Sequence, residues 1–311
     1  MSNNATNANP ISFPYNFSRP PVQIEFLNGI RDMTLSGMGP YVAETTQRFA
    51  YGTRGLTWDG RVFRYGKAFT YGVCSSIGAA NVHGGGAGSN TTGPTTNTIS
   101  SHAAPTQVGD ASGLAGCSVV TVAIHTGDYH GEIGDGIVAK DELVGGYVVI
   151  GNGTAQSPDF RGIVGNSACT ASTTSTIQLY LDGPIFTAIT AATTNIEVLA
   201  NPYTKLVCGA NYAGTYGAGN GYVSFLGIPA VDAATLYSFW LQTWGPCWGT
   251  SAGATNNGAN DRELYFATNG SLISGADLTY AGASYQRAGF AMEKTSSGYS
   301  GPPLVMLQIS V

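Results

Sequence analysis

Five side chains that can bind metal ions lie within eleven positions of one another, and they would be the first candidates for a metal site. They are His125, Asp128, His130, Glu132 and Asp135. Imidazoles and carboxylates ligate transition metals, and carboxylates suit calcium. Their spacing matches neither a helical pair of ligands nor the twelve-residue loop of an EF-hand. The sequence therefore favours a solvated acidic loop from Asp128 to Glu142 with no metal or cofactor, and calcium binding stays open as the alternative.

A serine nucleophile is the second kind of chemistry that the sequence suggests. The segment "GTSAG", from Gly249 to Gly253, matches the G-x-S-x-G pattern around Ser251. That pattern works on a sharp turn between a strand and a helix, with a histidine further along the chain. The following "ATNNGAND" does not favour a helix, and all four histidines precede Ser251. We expect no catalytic residue and no enzymatic activity.

Three of the four tryptophans lie at four-residue intervals in "LYSFWLQTWGPCWG": Trp240, Trp244 and Trp248. In a regular strand their indoles would share one face. Such an aromatic row is typical of one side of a core, of a subunit contact or of a sugar-stacking platform, and the pattern leaves all three open. Gly245 and Pro246 are expected to break the strand before Trp248.

The segment from Tyr51 to Gly72 holds four of the thirteen basic residues: Arg54, Arg61, Arg64 and Lys67. Its Asp-Gly pair, at positions 59 and 60, predicts a β-hairpin with a two-residue turn. That turn would place Trp58 opposite Arg61, Leu56 opposite Phe63 and Arg54 opposite Tyr65. The outer pairs would then set a guanidinium against an aromatic ring.

The bulk composition excludes some classes of partner. Of the 311 residues only 10% are charged, the net charge is −5, and the isoelectric point is about 5.2. Proteins that bind nucleic acid through a basic face have clustered Lys and Arg and a high isoelectric point, so nucleic acid is not expected as a partner. Uncharged polar residues must therefore supply most of the hydrogen bonds between the surface and water.

The N-terminal sequence "MSNNATNANPISFPYNFSRPP" has neither a basic start nor a continuous apolar stretch. It predicts an extended arm over residues 1–50 and no membrane anchor. The five cysteines have no close spacing typical of zinc or redox motifs, and their odd number favours buried, reduced thiols made in a cytoplasm. They are Cys74, Cys117, Cys169, Cys208 and Cys247.

Short β-prone runs separated by Gly, Pro, Asn or Asp fill the rest of the chain and predict an all-β fold with sandwich- or barrel-like domains. After the arm we expect the hairpin at 51–72 and a β-rich body at 73–311, of one or two domains. A Gly/Thr/Ser-rich loop is expected at about 83–116. The predicted strands are "CSVVTVAIH", "GGYVVIGNG", "STIQLYLDGP", "NIEVLANPY", "KLVCGA", "YVSFLGI", "LYSFWLQTWG" and "PPLVMLQISV".

Alternation along one of these runs separates core from surface. In "STIQLYLDGP", Ile177, Leu179 and Leu181 fall on one face, and Gln178 and Tyr180 on the other. Because strand side chains alternate between faces, the aliphatic set is expected to point into a core.

Six segments, in this order, resemble a family of uncharacterised virion proteins of tailed bacteriophages. The resemblance covers roughly Gly52 to Val311 and implies a virion structural role, most simply a capsid-decorating or head-associated protein. The implied partners are the major capsid protein and further copies of the chain as a homo-oligomer, in the virion after synthesis in the host cytoplasm. The alternative is a fibre or receptor-binding protein that binds glycans. The segments are "DGRVFRYGKA", "GGYVVIGNGT", "IQLYLDGPIFTAIT", "VLANPYTKLV", "SFWLQTWGPC" and "PPLVMLQISV".

The charged hairpin suggests a place for such a contact. Arginine, tryptophan and tyrosine are enriched in interface cores. We therefore expect the hairpin and the preceding arm to form an assembly contact outside the main core. The expected contact residues are Arg54, Trp58, Arg61, Arg64 and Tyr65.

Overall fold

The structure is a computed structural model, and it describes the ranges of the chain given at the end of this paragraph. The described part contains twenty β-strands and no α-helix. Its two larger sheets are antiparallel and curl into half-barrels, so the predicted all-β fold with sandwich- or barrel-like domains is confirmed. The described residues are 23–26, 29–32, 39–57, 59–69, 72–81, 98–101, 115–124, 137–152, 159–170, 175–186, 188, 194–208, 224–251, 262–267, 269–275, 285–293 and 303–310.

The strands are short, as expected for a glycine-rich chain with many turns. Every strand predicted from the sequence is present. In chain order they are β1 (Gln23–Phe26), β2 (Gly29–Asp32), β3 (Arg54–Leu56), β4 (Val62–Lys67), β5 (Ala79–Asn81), β6 (Thr98–Ser101), β7 (Val119–Ile124), β8 (Ile137–Val138), β9 (Tyr147–Asn152), β10 (Asp159–Asn166), β11 (Cys169–Thr170), β12 (Ser175–Leu181), β13 (Thr194–Leu199), β14 (Leu206–Cys208), β15 (Phe225–Pro229), β16 (Ser238–Trp248), β17 (Glu263–Phe266), β18 (Leu272–Ser274), β19 (Arg287–Ala291) and β20 (Leu304–Gln308).

The chain divides into two compact units. Unit 1 comprises Met1–Ala80, Leu206–Thr215 and Ser224–Val311. Unit 2 comprises Asn81–Lys205 and Tyr216–Val223. Unit 2 is therefore mainly an insertion into the chain of unit 1, a division that the sequence did not predict.

Unit 1 contains a twelve-stranded sheet with the main order β18-β17-β19-β20-β16-β4-β3-β1-β2. Strand β16 is its longest strand: it pairs with β4 along its first part and with β20 from Trp244 to Trp248. The register shifts between Gln242 and Trp244, which marks a bulge. Strands β1 and β2 lie within the predicted extended arm and continue this sheet beyond β3.

The predicted break before Trp248 is wrong, because β16 continues through Gly245 and Pro246. Gly245 adopts a positive φ of 96°, which glycine tolerates, and Pro246 pairs with Met306. The side chain of Gln242 donates from Nε2 to the backbone oxygens of Trp244 and Pro246, at 3.1 and 2.8 Å. These bonds support the irregular backbone, so the strand continues past Pro246.

Unit 2 contains a six-stranded sheet in the order β6-β13-β9-β10-β12-β7, and a small sheet of β8 and β11. Ile177 and Leu179 are fully buried and Leu181 is nearly so, which confirms the predicted alternation. The core of this unit is aliphatic. Its buried residues are Val120, Val122, Val138, Leu143, Val148, Ile150, Ile163, Ile177, Leu179, Leu181, Ile185, Ile196, Val198 and Ala200.

The Gly/Thr/Ser-rich segment predicted as a loop at about 83–116 contains a strand. Residues 98–101 form β6, which pairs with β13 in the register Ile99 to Val198. Residues 82–97 and 102–114 lie outside the described part of the chain. The short run "TISS" is polar and does not by itself predict a strand, but edge strands tolerate polar residues.

Candidate functional site

The hairpin around Asp59 exists, but its register differs from the prediction. The backbone N–H of Thr57 donates to the oxygen of Arg61 at 2.9 Å, which leaves three residues in the loop rather than two. Gly60 has a positive φ of 83°, as required for the last residue of such a loop. The expected partner of Arg61, Trp58, lies outside the described residues.

The extra loop residue moves each facing pair by one position. Arg54 lies opposite Arg64, Gly55 opposite Phe63, and Leu56 opposite Val62. The predicted pairs of Arg54 with Tyr65 and of Leu56 with Phe63 are therefore wrong. Arg54 and Arg64 carry like charges, which are unfavourable directly across a strand pair. The guanidinium of Arg64 donates from Nη1 to the backbone oxygen of Gly52 at 3.1 Å.

Arg61 is held in place at the surface of this hairpin. Its Nε lies 2.8 Å from Asp59 Oδ2, and its Nη1 donates to the Tyr41 hydroxyl at 3.0 Å. The guanidinium carbon also lies 5.6 Å from the centre of the Phe63 ring. Burial pushes the pKa of Asp59 upward, but the hydrogen bond from Thr57 and the charge and hydrogen bonds of Arg61 together outweigh it, so the pKa lies below its ordinary value.

The inner side of the same hairpin belongs to the core, so the expectation that the hairpin lies outside the core is wrong. Phe63, Tyr65 and Trp240 are fully buried and form one cluster. The rings of Tyr65 and Trp240 are 5.1 Å apart, and Phe49 meets Tyr65 edge-on at 5.2 Å. Strand β4 is buried because it pairs with the central strand β16. Tyr65 is thus unavailable as a contact residue.

The row of three tryptophans is divided between environments. Trp240 is fully buried, Trp244 is half-buried and Trp248 is 53% exposed. Trp240 pairs with Tyr65, but after the bulge Trp244 pairs with Val62, which lies on the other face of β4. The bulge therefore reverses the side to which β16 directs its tryptophans, so the three indoles do not share the single face that a regular strand would give them.

Exposed apolar side chains lie at the far end of β16. Trp248 pairs with Leu304, whose backbone oxygen accepts a hydrogen bond from the N–H of Met292 at 2.9 Å. Trp248, Leu304 and Met292 are 53%, 41% and 46% exposed. Residues directly opposite one another share a face, so these three side chains form an apolar row across three neighbouring chain segments of unit 1.

A second set of exposed apolar side chains lies on the outward side of the unit 2 sheet, and we call it the aromatic face. On β10, Asp159 and Ile163 are buried, whereas the alternate residues Phe160 and Val164 point outward. Phe160 stacks on Tyr147 with 5.2 Å between ring centres and 16° between planes. The members of the aromatic face are Tyr147 (40% exposed), Phe160 (55%), Val164 (58%) and Tyr180 (38%).

Arg161 alternates with Phe160 along β10, and it holds a separate exposed ring, that of Phe186 (76% exposed). Its guanidinium carbon lies 4.6 Å from the centre of Phe186, and its Nε donates to the oxygen of Pro184 at 2.8 Å. The buried Asp159 accepts a hydrogen bond from the backbone N–H of Phe186 at 3.1 Å. Phe186 is thus exposed and positioned at the same time, which lowers the ordering cost of binding to it.

The described part of the predicted acidic loop is a structural turn. Asn166 is fully buried: its Oδ1 accepts from the N–H of Leu143 at 2.8 Å, and its Nδ2 donates to the oxygen of Ala139 at 2.9 Å. Glu142 accepts from the N–H of Ala139 at 2.7 Å. The carboxylate of Glu142 therefore supports the backbone of this turn.

The two kinds of chemistry raised by the sequence have no assembled site in the described residues. His125 to Asp135 lie outside them, and the described part of the chain contains no group of three or more His, Cys, Asp or Glu that could hold a metal. Ser251 forms a parallel bridge with Leu272, and the residues that follow it, 252–261, are not described. The expectation that all five thiols are buried is wrong for Cys74, which is exposed.

Comparison with known proteins places the chain in no family. It matches no family model, no curated protein and no solved structure. Among the described residues there is also no helix with the length and apolar character needed to cross a bilayer.

Proposed function

We propose that the protein is a virion structural protein of a tailed bacteriophage, a decoration or head-associated protein without enzymatic activity. It attaches to the major capsid protein and to neighbouring copies of itself as a homo-oligomer. It is made in the host cytoplasm and resides in the virion, and it binds neither nucleic acid nor a membrane. The phage assignment rests on the sequence resemblance, and the contact function rests on the aromatic face.

The aromatic face carries the contact part of the proposal. Contiguous exposed apolar surface, particularly with rings, marks protein contacts, and Tyr and Phe are enriched in interface cores. Phe160 and Tyr147 present a preformed stacked pair. A rigid aromatic surface binds with little loss of side-chain freedom.

Low charge density supports assembly into a crowded coat. Only 10% of residues are charged, so few charges would lose water when copies pack side by side. Burying an unpaired charge costs several kcal/mol, whereas uncharged polar groups can exchange hydrogen bonds with water for bonds with a neighbour.

The test is attachment of the purified full chain to phage particles that lack it. The double variant Tyr147→Ser/Phe160→Ser should retain the circular dichroism of the parent and sediment with particles at least about tenfold more weakly, because interface rings act as hot spots. Val42→Ser, which changes an exposed apolar residue of unit 1, is the matched control. Undiminished attachment of the double variant would contradict the proposal.

We also propose a second assembly contact, at the surface of the hairpin, which is smaller than the one predicted from the sequence. Arg61 and Tyr41 form a surface pair, whereas Tyr65 is buried. Arg61→Ala should weaken attachment more at low salt than at physiological salt if Arg61 faces an acidic capsid surface. Equal attachment at both salts would assign Arg61 a role in the hairpin alone.

Glycan binding by a fibre or receptor-binding protein is the second candidate, and the stacked pair Tyr147 and Phe160 is the observation that favours it. Sugar rings pack on exposed aromatic planes, and Trp248 offers another such surface in unit 1. A glycan array probed with the purified chain tests this function. Reproducible binding that Phe160→Ala abolishes would rank it above capsid decoration.

A further inference from the structure

A glycine on the aromatic face leaves an opening between outward side chains. Gly162 alternates with the buried Ile163 and lies two positions after Phe160 on β10, so it belongs to the outward side of the sheet. It pairs with Tyr147 of β9, and β12 lies on the other side of β10. Because glycine has no side chain, the face is open between the Tyr147 ring and the end of β12.

A carboxylate stands at the edge of this opening. Asp182, directly after β12, is exposed, and its N–H donates to the oxygen of Gly162 at 3.0 Å. A Cβ atom placed on Gly162 would lie 2.7 Å from Oδ2 of Asp182, so the carboxylate leans over the glycine. Among the described residues, no basic side chain forms an ion pair with Asp182. The opening therefore has a negative charge on one side and an aromatic ring on the other.

This combination suits the side chain of an arginine. The Tyr147 ring is fixed by its stack with Phe160, at 5.2 Å between ring centres. A guanidinium can pack on an aromatic ring and also bind a carboxylate with two hydrogen bonds. A lysine would keep the charge contact without the paired hydrogen bonds. An anion or a neutral sugar would leave the charge of Asp182 without an opposite charge.

A segment of matching chemistry precedes the described part of the chain. Residues 1–22 carry one charged side chain, Arg19, within "PISFPYNFSRPPV", which also holds three aromatic residues and four prolines. Proline-rich segments bind aromatic-lined surfaces. Four arginines of the described residues are instead engaged in ion pairs within their own chain. They are Arg48, Arg61, Arg161 and Arg287.

We propose that the opening over Gly162 binds Arg19 of a second copy of the chain, with residues 10–22 of that copy lying along the aromatic face. The inference rests on the proposed function, because it names the contact between copies that the homo-oligomer requires. The guanidinium of Arg19 pairs with Asp182 and packs on Tyr147. The 22 residues that precede β1 can span up to about 70 Å when fully extended, which is enough to reach a neighbouring copy.

Sedimentation velocity of the purified full-length chain over a range of concentrations measures this association. The parent should form an oligomer. Arg19→Asp and Asp182→Arg should each raise the dissociation constant at least about tenfold, because each variant brings like charges together. Gly162→Ala should act in the same direction, since its methyl group occupies the opening. Glu293→Arg reverses the charge of an exposed acid in unit 1 and is the matched control, which should associate as the parent does.

Exchanging the two charges tests whether the residues meet between copies. An equimolar mixture of Arg19→Asp and Asp182→Arg should associate about as strongly as the parent, because every contact in the mixed oligomer then joins opposite charges. The double variant that carries both changes should behave in the same way. Binding within one chain cannot produce the recovery in the mixture. Association of the parent should also weaken as the salt concentration rises.

Three results would overturn the inference. A parent that stays monomeric at every concentration would show that residues 10–22 join no copies. Undiminished association of both single variants would assign the contact to another surface. Weakened association that neither the mixture nor the double variant restores would show that Arg19 and Asp182 do not meet.

Particle attachment separates this inference from the proposed function. If attachment still depends on Tyr147 and Phe160 while the charge exchange fails, the contact between copies is wrong and the attachment function stands. If the charge exchange succeeds but the parent does not bind phage particles, the contact between copies stands and the proposed virion function is wrong.

Discussion

Unit 1 and unit 2 use aromatic residues in opposite ways. In unit 1, Phe63, Tyr65 and Trp240 are fully buried in a cluster. In unit 2, Tyr147 and Phe160 stack on each other at the surface, 40% and 55% exposed. The residue types are alike, so the environment that the fold provides, rather than composition, decides which rings stabilise and which remain available to a partner.

The difference arises from what covers each sheet. Over the unit 1 cluster, Phe49 and Tyr51 of the segment that precedes the hairpin pack on Tyr65, at 5.2 and 5.7 Å. That segment is held by a bridge between Glu44 and Ser238. Among the described residues of unit 2, no comparable segment buries the aromatic face. A strand with one side covered and the other open is a normal feature of antiparallel sheets.

The largest effect is expected at the centre of the buried cluster. Trp240→Ala should lower the free energy of unfolding by about 3–5 kcal/mol, because it removes a fully buried indole and leaves a cavity. Trp240→Phe should cost less, since it keeps a ring and removes an indole N–H that has no hydrogen-bond partner among the described residues. Urea unfolding followed by circular dichroism measures both, with Trp248→Ala as the control. Similar losses for Trp240→Ala and Trp248→Ala would remove the distinction between the two ends of β16.

An intermediate effect is expected where unit 2 depends on a buried polar side chain. Asn166→Ala should cost about 2–3 kcal/mol, because the N–H of Leu143 and the oxygen of Ala139 lose their partner in a buried site. Hydrogen exchange at Leu143 should accelerate accordingly. Thr170→Ala, an exposed change on the nearby strand β11, should stay within about 0.5 kcal/mol of the parent. Unchanged exchange at Leu143 would mean that the turn does not depend on Asn166.

A smaller effect on stability is expected on the aromatic face. Phe160→Ala should change the free energy of unfolding by less than about 1 kcal/mol, because more than half of the ring is already in water. The measurement is urea unfolding of the isolated protein. A loss above about 3 kcal/mol would be typical of a core phenylalanine and would show that this face is covered in the folded chain.

The smallest effect is a pH dependence at the hairpin surface. The pKa of folded Asp59 lies below its ordinary value, so Asp59 stabilises the fold at pH values above that ordinary value, and this contribution is lost as pH falls through the folded pKa. Between about pH 5 and about pH 3, the parent should therefore lose more stability than Asp59→Asn. Thr57→Val, which removes a hydrogen bond to the carboxylate, should reproduce part of that difference. Parallel losses in all three proteins would show that this carboxylate does not contribute.

Local patterns predicted the elements well. The run with Ile177, Leu179 and Leu181 alternates so regularly that its buried face followed from strand geometry alone. Strand β10 was not predicted, because "DFRGIVGN" contains two charges and two glycines within eight residues. Asp159 is buried next to Arg161, at 3.5 Å, and accepts a hydrogen bond from the N–H of Phe186, a partner 27 positions away.

Surface candidates were predicted less well, because exposure depends on distant segments. Arg61 stayed at the surface, whereas Tyr65, four residues further on, became part of the core through its pairing with Trp240. The aromatic face was missed altogether. Tyr147 and Phe160 lie in separate strands, and nothing in either segment indicates that antiparallel pairing will bring their rings together.

The sequence by itself determined that the chain is all-β, where ten of the twenty described strands run, and that its surface is poor in charge, since these follow from residue type and local periodicity. Only the tertiary structure decided that the chain forms two units, with unit 2 inserted between Ala80 and Leu206. It also decided that a single bulge separates Trp240 from Trp244 and Trp248. The physical reason is that one extra residue in a strand reverses every side chain beyond it, and such a bulge is fixed by pairing with distant strands rather than by the local sequence.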